Sequence, residues 1–151
     1  EIVKSHSKTF FSKKIRVNIE VDSLVVQSDP KWLQFIVNQL VTNSLKYTEP
    51  GGEIIISAVN TSNEKQLRIR DNGIGISQKD LPRIFNRGFT GETGRTHAKS
   101  TGMGLYLAQQ LCNKLGHYIR CTSEVGTFTQ FSVHFPLDSD HYLRIKKTHD
   151  E

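Results

Sequence analysis

The sequence predicts an α+β fold in which three helices cover one face of a mixed, mostly antiparallel sheet. Two segments, 30–47 and 103–115, place apolar residues at helical spacing. Residues 15–21 instead alternate between apolar and polar side chains, which is typical of a half-buried strand. Two pairs of short strand-like segments follow the first and the second of these helices. Helices packed on one side of such strands form a two-layer α/β sandwich.

Composition and charge exclude several classes of protein. The chain has 151 residues, the size of one domain, and 36% hydrophobic residues, as in soluble globular proteins. The net charge of +5 is spread along the chain, which argues against nucleic acid as a partner. The two cysteines lack CxxC spacing and favour a reducing cytoplasm, and no apolar run reaches the ~18 residues that span a bilayer. The chain starts at Glu1 instead of Met, so we expect it to be a piece of a longer protein. We expect the piece itself to be soluble and monomeric.

The first half of the chain is expected to form two helices and a pair of strands. Residues 2–14 predict a short helix, and the half-buried strand is followed by a turn and by a predicted hairpin partner at 24–27. A cap at Ser28 or Asp29, with a proline in the first turn, predicts the start of the long helix, which runs to Tyr47.

The second half of the chain is expected to complete the sheet and to add a lid. A Pro-Gly-Gly break at 50–52 ends the first helical region, and Gly116 is a good terminator for the second long helix. The predicted elements are strands at 53–59 and 66–70, a short helix that starts at Ser77, a lid at about 86–101, a helix at 103–115, strands at 118–122 and 127–135, and a polar tail at 137–151. A loop as long as the lid is typical of a functional segment.

Three polar side chains, Gln39, Asn43 and Lys46, fall within an arc of ~60° at the edge of the apolar face of the long helix. Side chains at such an edge can point into a cleft beside the helix. Asn43 offers an oxygen ligand to Mg²⁺, and Lys46 offers a point charge to phosphate oxygens. Tyr47 can stack on a base, and a core position is an equal alternative. The alternative for the three polar residues is a boundary role, in which they bond to loop backbone.

The segment 71–76 (DNGIGI) places a carboxylate at the end of a predicted strand and two glycines after it. The carboxylate of Asp71 can accept a hydrogen bond from the exocyclic amine of adenine, whereas guanine has no donor in that place. Gly73 and Gly75 allow the backbone to approach a ring closely and permit positive φ. The alternative is a type I′ turn at Asn72-Gly73, although no alternating strand follows directly.

A second glycine segment, 101–105 (TGMGL), opens the predicted helix 103–115. Free N–H groups and the helix dipole at such a start favour phosphate. The spacing fits neither a Walker A loop nor a GxGxxG fingerprint, which disfavours both of those folds. Before this segment, Phe85, Arg87 and Phe89 give the loop apolar anchors and a guanidinium, as in a lid that folds over triphosphate. We expect that lid to be disordered without nucleotide.

In this order, the segments resemble the motifs of the ATP-binding, catalytic domain of sensor histidine kinases, within the superfamily that includes gyrase, Hsp90-type chaperones and MutL. The resemblance covers residues 15–136, with the N-terminal helix (1–14) leading into the domain, and implies a sandwich of the Bergerat type. The matching segments are 39–48 for the N box, 71–76 for the G1 box, 84–89 for the F box, 101–105 for the G2 box, and Gly126-Thr127 for a final glycine-threonine motif. Details of 85–91 (FNRGFTG) and 100–108 (STGMGLYLA) are similar to membrane-bound kinases of Gram-positive bacteria that respond to antimicrobial peptides alongside ABC transporters.

This resemblance implies ATP and Mg²⁺ as cofactors, with the metal on Asn43, phosphates near Lys46, and adenine on Asp71 with Thr127 nearby. It implies transfer of the γ-phosphoryl group to a histidine on the parent's dimerisation domain, and then to a response regulator. The parent would be a membrane protein that holds this domain in the cytoplasm, with an ABC transporter as a further partner. The expected catalytic residues are Gln39, Asn43 and Lys46, and the expected nucleotide-binding residues are Asn43, Lys46, Tyr47, Asp71, Gly73, Gly75, Ile76, Phe85, Arg87, Gly88, Thr101, Gly102, Met103, Gly104, Leu105 and Thr127.

One position departs from the members of the superfamily that hydrolyse ATP. Those members carry Glu four residues before the metal-binding Asn, where it activates water, whereas this chain has Gln39, which cannot take a proton from water. Because a neutral imidazole attacks with its own lone pair, a kinase needs positioning and charge stabilisation more than a strong base. We hypothesise that Gln39 orients the γ-phosphate or metal-bound waters. The alternatives are an ATP-switched clamp of the gyrase or chaperone kind, and a nucleotide-binding or interaction module without catalysis.

Overall fold

Five strands form one mixed sheet in the computed structural model, which describes residues 1–21, 23–90 and 102–137. The strands are β1 (Arg16–Glu20), β2 (Glu53–Asn60), β3 (Glu64–Asp71), β4 (Tyr118–Glu124) and β5 (Phe128–Pro136), and their order across the sheet is β1-β2-β3-β5-β4. β1 runs parallel to β2, and every other neighbouring pair is antiparallel. The prediction of a mixed, mostly antiparallel sheet is confirmed.

Helices cover one face of this sheet. They are α1 (Ile2–Ser5), α2 (Ser7–Ser12), α3 (Pro30–Tyr47), α4 (Gly104–Lys114) and a short 3₁₀ helix (Leu81–Arg83). α3 and α4 pack against each other, and α1 packs against α3. α3 starts as predicted, since the Asp29 carboxylate accepts the Trp32 N–H at 3.1 Å and Pro30 occupies the first turn. α4 ends at Lys114, and the predicted terminator Gly116 follows two residues later with a φ of 79°.

Two predicted helices are shorter than expected. The single helix predicted at 2–14 is divided at His6, whose φ of −104° and ψ of 12° leave the helical region. The helix predicted to start at Ser77 is only a turn followed by the 3₁₀ helix, although the Ser77 hydroxyl does accept the Asp80 N–H at 3.2 Å. Pro82 explains the short length, because it has no N–H to give to a carbonyl one turn earlier.

The predicted hairpin between residues 15–21 and 24–27 is wrong. Among the described residues, β1 pairs with β2, and residues 24–27 form no strand. Leu24 and Val26 still pack against the core, whereas Val25 is 75% exposed. The alternation of buried and exposed side chains at 24–27 therefore reflects a segment that lies along the edge of the core. Alternation shows which side chains are buried, but it does not identify a pairing partner.

The core lies between the helices and the inner face of the sheet. Its fully buried apolar members on the long helices are Ile36, Leu40, Val41, Ala108 and Cys112, and those on the strands are Ile54, Ile69, Phe131 and Val133. The strand register places these side chains in successive rows across the inner face. The polar tail predicted at 137–151 lies, apart from Leu137, outside the described residues.

One row of the inner face is polar where it crosses the three strands β3, β5 and β4. Asp71 on β3 pairs with Thr129 on β5, which in turn pairs with Ser123 on β4. All three side chains are buried. We call these three residues the polar row. Because buried polar groups need partners, this end of the sheet is the place where the fold positions a site.

Candidate functional site

A cavity of about 290 Å³ opens between the edge of α3, the polar row and the first turn of α4. This volume is close to the lower limit of about 300 Å³ that is typical of small-molecule sites. The cavity brings together ten of the residues predicted from the sequence: Gln39, Asn43, Lys46, Tyr47, Asp71, Gly75, Ile76, Gly102, Gly104 and Leu105. Segments that are far apart in the chain therefore meet around one space.

Asp71 is the buried carboxylate of this cavity, with only 2% of its surface exposed. One of its oxygens, Oδ1, accepts the backbone N–H of Gly73 at 2.9 Å. Burial raises the pKa of Asp71 to about 6, although the Gly73 N–H and the Ser44 hydroxyl both act to lower it. Ser44 Oγ is buried and has no hydrogen-bond partner among the described residues. Within the same residues, the Gly73 N–H bonds to Oδ1, which leaves the second carboxylate oxygen of Asp71 for a ligand.

The edge of α3 supplies a polar wall of the same cavity. Gln39, Asn43 and Lys46 are spaced at i, i+4 and i+7, which puts them on one line along the helix. Burial lowers the pKa of the Lys46 ammonium and raises the pKa of the Tyr47 phenol. The Lys46 Nζ lies 5.8 Å from the centre of the Tyr47 ring. This wall therefore offers an amide oxygen and a cation to the same space.

The glycine loop after β3 is held close to its neighbours on both sides. A Cβ atom on Gly73 would lie 2.2 Å from the Tyr47 carbonyl oxygen, and one on Gly75 would lie 2.3 Å from the Glu124 carbonyl oxygen. Gly75 also has a φ of 74°. Neither Asn72 nor Gly73 has a positive φ, so the type I′ turn considered from the sequence is wrong. Gly73 itself is buried behind Asp71 and does not line the cavity.

The first turn of α4 closes the cavity from another side. The Gln39 amide packs against Gly104, where a Cβ atom would lie 2.4 Å from Gln39 Oε1. Gly88 donates its N–H to the Gly102 carbonyl at 3.1 Å, so the described residues 88 and 102 are held together beside the start of α4. Met103 caps α4 without lining the cavity. Thr101 and most of the predicted lid lie outside the described residues.

Several predicted residues lie away from the cavity. The Phe85 ring packs edge-on against Phe131 in the core, at 6.4 Å between centroids, and Arg87 and Gly88 are exposed. Thr127 is exposed in the turn between β4 and β5 and does not line the cavity. The cavity is lined instead by Thr129, two residues further on. The reason is the strand register, which pairs Thr129 with Asp71.

Six lining residues were not among the expected catalytic or nucleotide-binding residues, although Phe89 was expected to anchor the lid: Thr42, Asp80, Ile84, Phe89, Thr90 and Thr129. Thr42 lies one helical turn before Lys46, so the spacing along α3 contained a signal for it. Asn38, also polar and on α3, does not line the cavity, and its Oδ1 is 2.7 Å from His6 Nε2. No local pattern indicates Thr129, because its position depends on pairing between distant strands.

Two further observations concern the described residues only. Within the ranges 1–21, 23–90 and 102–137, no helix has the length and apolar character needed to cross a membrane. In the same ranges, His, Cys, Asp and Glu side chains form no group of three or more that could hold a metal ion.

Comparison with known proteins shows which sequences this chain resembles. Among curated proteins, the chain is 42% identical over 135 residues to the sensor protein BceS of Bacillus subtilis and 39% identical over 135 residues to the sensor histidine kinase GraS of Staphylococcus haemolyticus. Each alignment covers 89% of this chain but only 40% and 39% of those proteins. The chain therefore spans about two fifths of the length of the curated relatives it matches.

Solved structures share the fold. The mycobacterial sensor histidine kinase MprB superposes with a TM-score of 0.75 at 22% identity, covering 89% of this chain and 91% of that one. The catalytic domain of the histidine kinase ThkA superposes with a TM-score of 0.78 at 20% identity, covering 93% of this chain and 90% of that one.

The sequence profile of one family spans most of the chain. Residues 28–139 match the family described as histidine kinase-, DNA gyrase B- and HSP90-like ATPase. This range includes α3, the glycine loop, α4 and the polar row. The chain therefore belongs to the family of histidine kinase-, DNA gyrase B- and HSP90-like ATPases.

Proposed function

We propose that this chain binds Mg²⁺–ATP in the cavity and transfers the γ-phosphoryl group to a histidine on the dimerisation domain of a longer sensor kinase. The observation that supports this most strongly is the combination of groups that line one cavity. Asp71, a buried acceptor, comes from the end of β3, and the amide of Asn43 and the ammonium of Lys46 come from α3. An adenine nucleotide needs both kinds of group, because it has donors on its base and negative charge on its phosphates.

The base end of the site is assigned to the polar row. The free oxygen of Asp71 would accept an N–H from the exocyclic amine of adenine. Tyr47 and Ile76 line the cavity beside it and can enclose an aromatic ring. Gly75 keeps the loop backbone close to that ring, because its position has no room for a side chain.

The phosphate end of the site is assigned to α3 and to the start of α4. Lys46 would contact phosphate oxygens, and the first turn of α4 would present free N–H groups to them. Mg²⁺ is commonly held by one or two protein oxygens together with substrate phosphates, so the side-chain oxygen of Asn43 fits the metal. When bound there, Mg²⁺ would neutralise the charge that develops as the terminal phosphoryl group leaves.

The chemistry proposed for this site is in-line phosphoryl transfer. An imidazole nitrogen of the acceptor histidine forms a bond to the γ-phosphorus while the bond to the oxygen bridging the β- and γ-phosphates breaks, which releases ADP. Gln39, Asn43 and Lys46 hold the reacting groups in position and stabilise their charge. A response regulator then receives the phosphoryl group. We also propose a cytoplasmic position in a bacterial membrane protein that works with an ABC transporter.

A titration with a non-hydrolysable ATP analogue tests the proposed site. We expect saturable binding that weakens when Mg²⁺ is removed. Asn43→Ala should lower affinity at least about tenfold and remove the dependence on Mg²⁺, since the amide oxygen is the proposed ligand. Asn38→Ala is the matched control, because Asn38 lies on the same helix but near His6 and outside the cavity. Equal effects of the two substitutions would contradict the assignment.

The identity of residue 39 separates a kinase from an ATP-switched clamp. Because an amide cannot act as a general base, we expect this domain alone to bind ATP without sustained hydrolysis, and to phosphorylate its parent's dimerisation domain when the two are mixed. Gln39→Glu should raise ATP hydrolysis and lower phosphotransfer.

Steady ATP turnover by the unaltered domain would favour the clamp. If Gln39→Glu left the rates of hydrolysis and phosphotransfer unchanged, the positioning role of Gln39 would be wrong. If the unaltered domain bound ATP without phosphotransfer, a module without catalysis would be favoured.

A further inference from the structure

Ser123 connects the base end of the cavity to the glycine loop without lining the cavity itself. It pairs across the sheet with Thr129, which in turn pairs with Asp71. The Ser123 side chain is buried, and its hydroxyl has three partners. It accepts the Ile76 N–H at 2.7 Å, donates to the Phe128 carbonyl at 2.7 Å and lies 3.0 Å from Thr129 Oγ1. One hydroxyl thus holds the glycine loop, the start of β5 and a residue that lines the cavity.

These contacts fix the direction of the hydrogen bond between Ser123 and Thr129. A carbonyl oxygen can only accept, so the single proton of the Ser123 hydroxyl goes to Phe128. The N–H of Ile76 can only donate, and it occupies one lone pair of Ser123. The remaining lone pair faces Thr129, which must therefore donate its own proton to Ser123. As a result, Thr129 turns lone pairs and no proton toward the cavity.

We propose that Ser123 is a positioning residue that sets base specificity by making Thr129 a second hydrogen-bond acceptor beside Asp71. This inference rests on the proposed binding of adenine nucleotides. Cross-strand neighbours such as Asp71 and Thr129 have Cβ atoms about 5 Å apart, so both can reach one group on a base edge. The exocyclic amine of adenine carries two N–H donors and can satisfy two acceptors. Hypoxanthine, the base of inosine nucleotides, has a carbonyl oxygen in that place and would face two sets of lone pairs.

The test is the ratio of the dissociation constants for Mg²⁺–ITP and Mg²⁺–ATP. The two nucleotides share ribose and triphosphate, so the ratio reports only on the base. We expect the unaltered domain to prefer ATP by about tenfold or more, because an unmatched buried polar group is costly. Ser123→Ala frees the Thr129 proton to donate to the hypoxanthine carbonyl. The preference should then fall about fivefold, and affinity for both nucleotides should fall because Ile76 loses its acceptor.

Two further variants separate specificity from folding. Ser132→Ala is the matched control, since Ser132 is equally buried in β5 but bonds to His134 on the opposite face of the sheet. It should leave the ratio unchanged. Adding Ser123→Ala to Thr129→Val should not change the ratio further, because Ser123 is proposed to act through the Thr129 hydroxyl.

Each outcome decides between specificity and structure. A Ser123→Ala variant that weakens ATP and ITP by the same factor would show a purely structural role and overturn the inference. If Ser123→Ala does not fold, the result for Thr129→Val decides. Removal of the Thr129 hydroxyl takes away an acceptor, so ITP should bind as tightly as before or more tightly. Weaker ITP binding would overturn the inference. If the unaltered domain bound neither nucleotide, the proposed function would be refuted. Failure of the inference about Ser123 and failure of the proposed function are therefore distinguishable.

Discussion

Asp71→Asn is expected to abolish nucleotide binding and, at the same time, to stabilise the nucleotide-free domain. The Asn side chain keeps an oxygen for the Gly73 N–H, which Asp71 Oδ1 accepts at 2.9 Å. Its NH₂ group must then occupy the position of the free carboxylate oxygen. A donor there would face the exocyclic amine of adenine, so affinity for an ATP analogue should fall about 100-fold or more.

The gain in stability follows from the cost of burying the charge. Burial raises the pKa of Asp71 from 3.8 to about 6, which corresponds to about 3 kcal/mol against the ionised form. Because the carboxyl holds its proton more tightly in the folded state, its contribution to stability is lost as pH rises from about 4 through about 6. The free energy of unfolding of Asp71→Asn should exceed that of the unaltered domain by up to about 3 kcal/mol at pH 7.5, and the difference should shrink toward pH 4.

Urea unfolding at pH 7.5 and pH 4.5, together with an ATP-analogue titration, measures both effects. Asp29→Asn is a suitable control, because Asp29 is an exposed helix cap and Asn caps helices equally well. Its stability should change little at either pH. Binding that persists in Asp71→Asn, or in Asp71→Ala, would show that the adenine pocket is elsewhere. A loss of stability at pH 7.5 would show that the carboxylate makes favourable contacts that outweigh its burial.

Gly75→Ala is expected to destabilise the domain strongly and to displace the glycine loop from the cavity. The new Cβ would lie 2.3 Å from the Glu124 carbonyl oxygen and 2.8 Å from the Val125 Cα. Both are backbone atoms where β4 ends and the turn to β5 begins, so no side chain can rotate away to make room. The left-handed φ of 74° adds about 1–2 kcal/mol, and overpacking typically adds about 1–3 kcal/mol.

Gly126→Ala separates the two contributions. Gly126 has nearly the same φ, 75°, but nothing lies within 4 Å of the position that its Cβ would occupy. Gly126→Ala should therefore lower the free energy of unfolding only by the cost of the left-handed φ, about 1–2 kcal/mol, and nucleotide binding should be retained. The difference between the two variants in urea unfolding measures the steric contact alone. Equal losses of stability would mean that the turn yields to Gly75→Ala, and that the loop is less constrained than the geometry indicates.

The sequence predicted best those features that depend on local periodicity and on helix signals. The bounds of α3 and its edge residues follow from 3.6-residue spacing and from Asp29 and Pro30 at its start. The glycine segments identified the remaining walls of the cavity, because a glycine beside a polar strand end indicates close approach of backbone. These signals are contained within short windows of sequence.

Features that depend on pairing between distant segments were not predicted. The parallel partner of β1 lies beyond α3 in the chain, so a local hairpin was the simpler interpretation of residues 15–27. Thr127 and Thr129 are both threonines near a glycine, and only the register with Asp71 places one of them in the cavity. The role of Ser123 likewise requires three hydrogen-bond partners that no sequence pattern specifies.

The polar row also links ligand recognition to the order of assembly of the domain. Its three residues come from β3, β5 and β4, and the last two strands follow the first by a long stretch of chain that includes α4. An intermediate with α3 and the first three strands in place would have Asp71 but neither Thr129 nor Ser123 beside it. If the base binds at the polar row as we propose, its tight recognition requires that β4 and β5 have joined the sheet, and a bound nucleotide would stabilise that completed state by mass action.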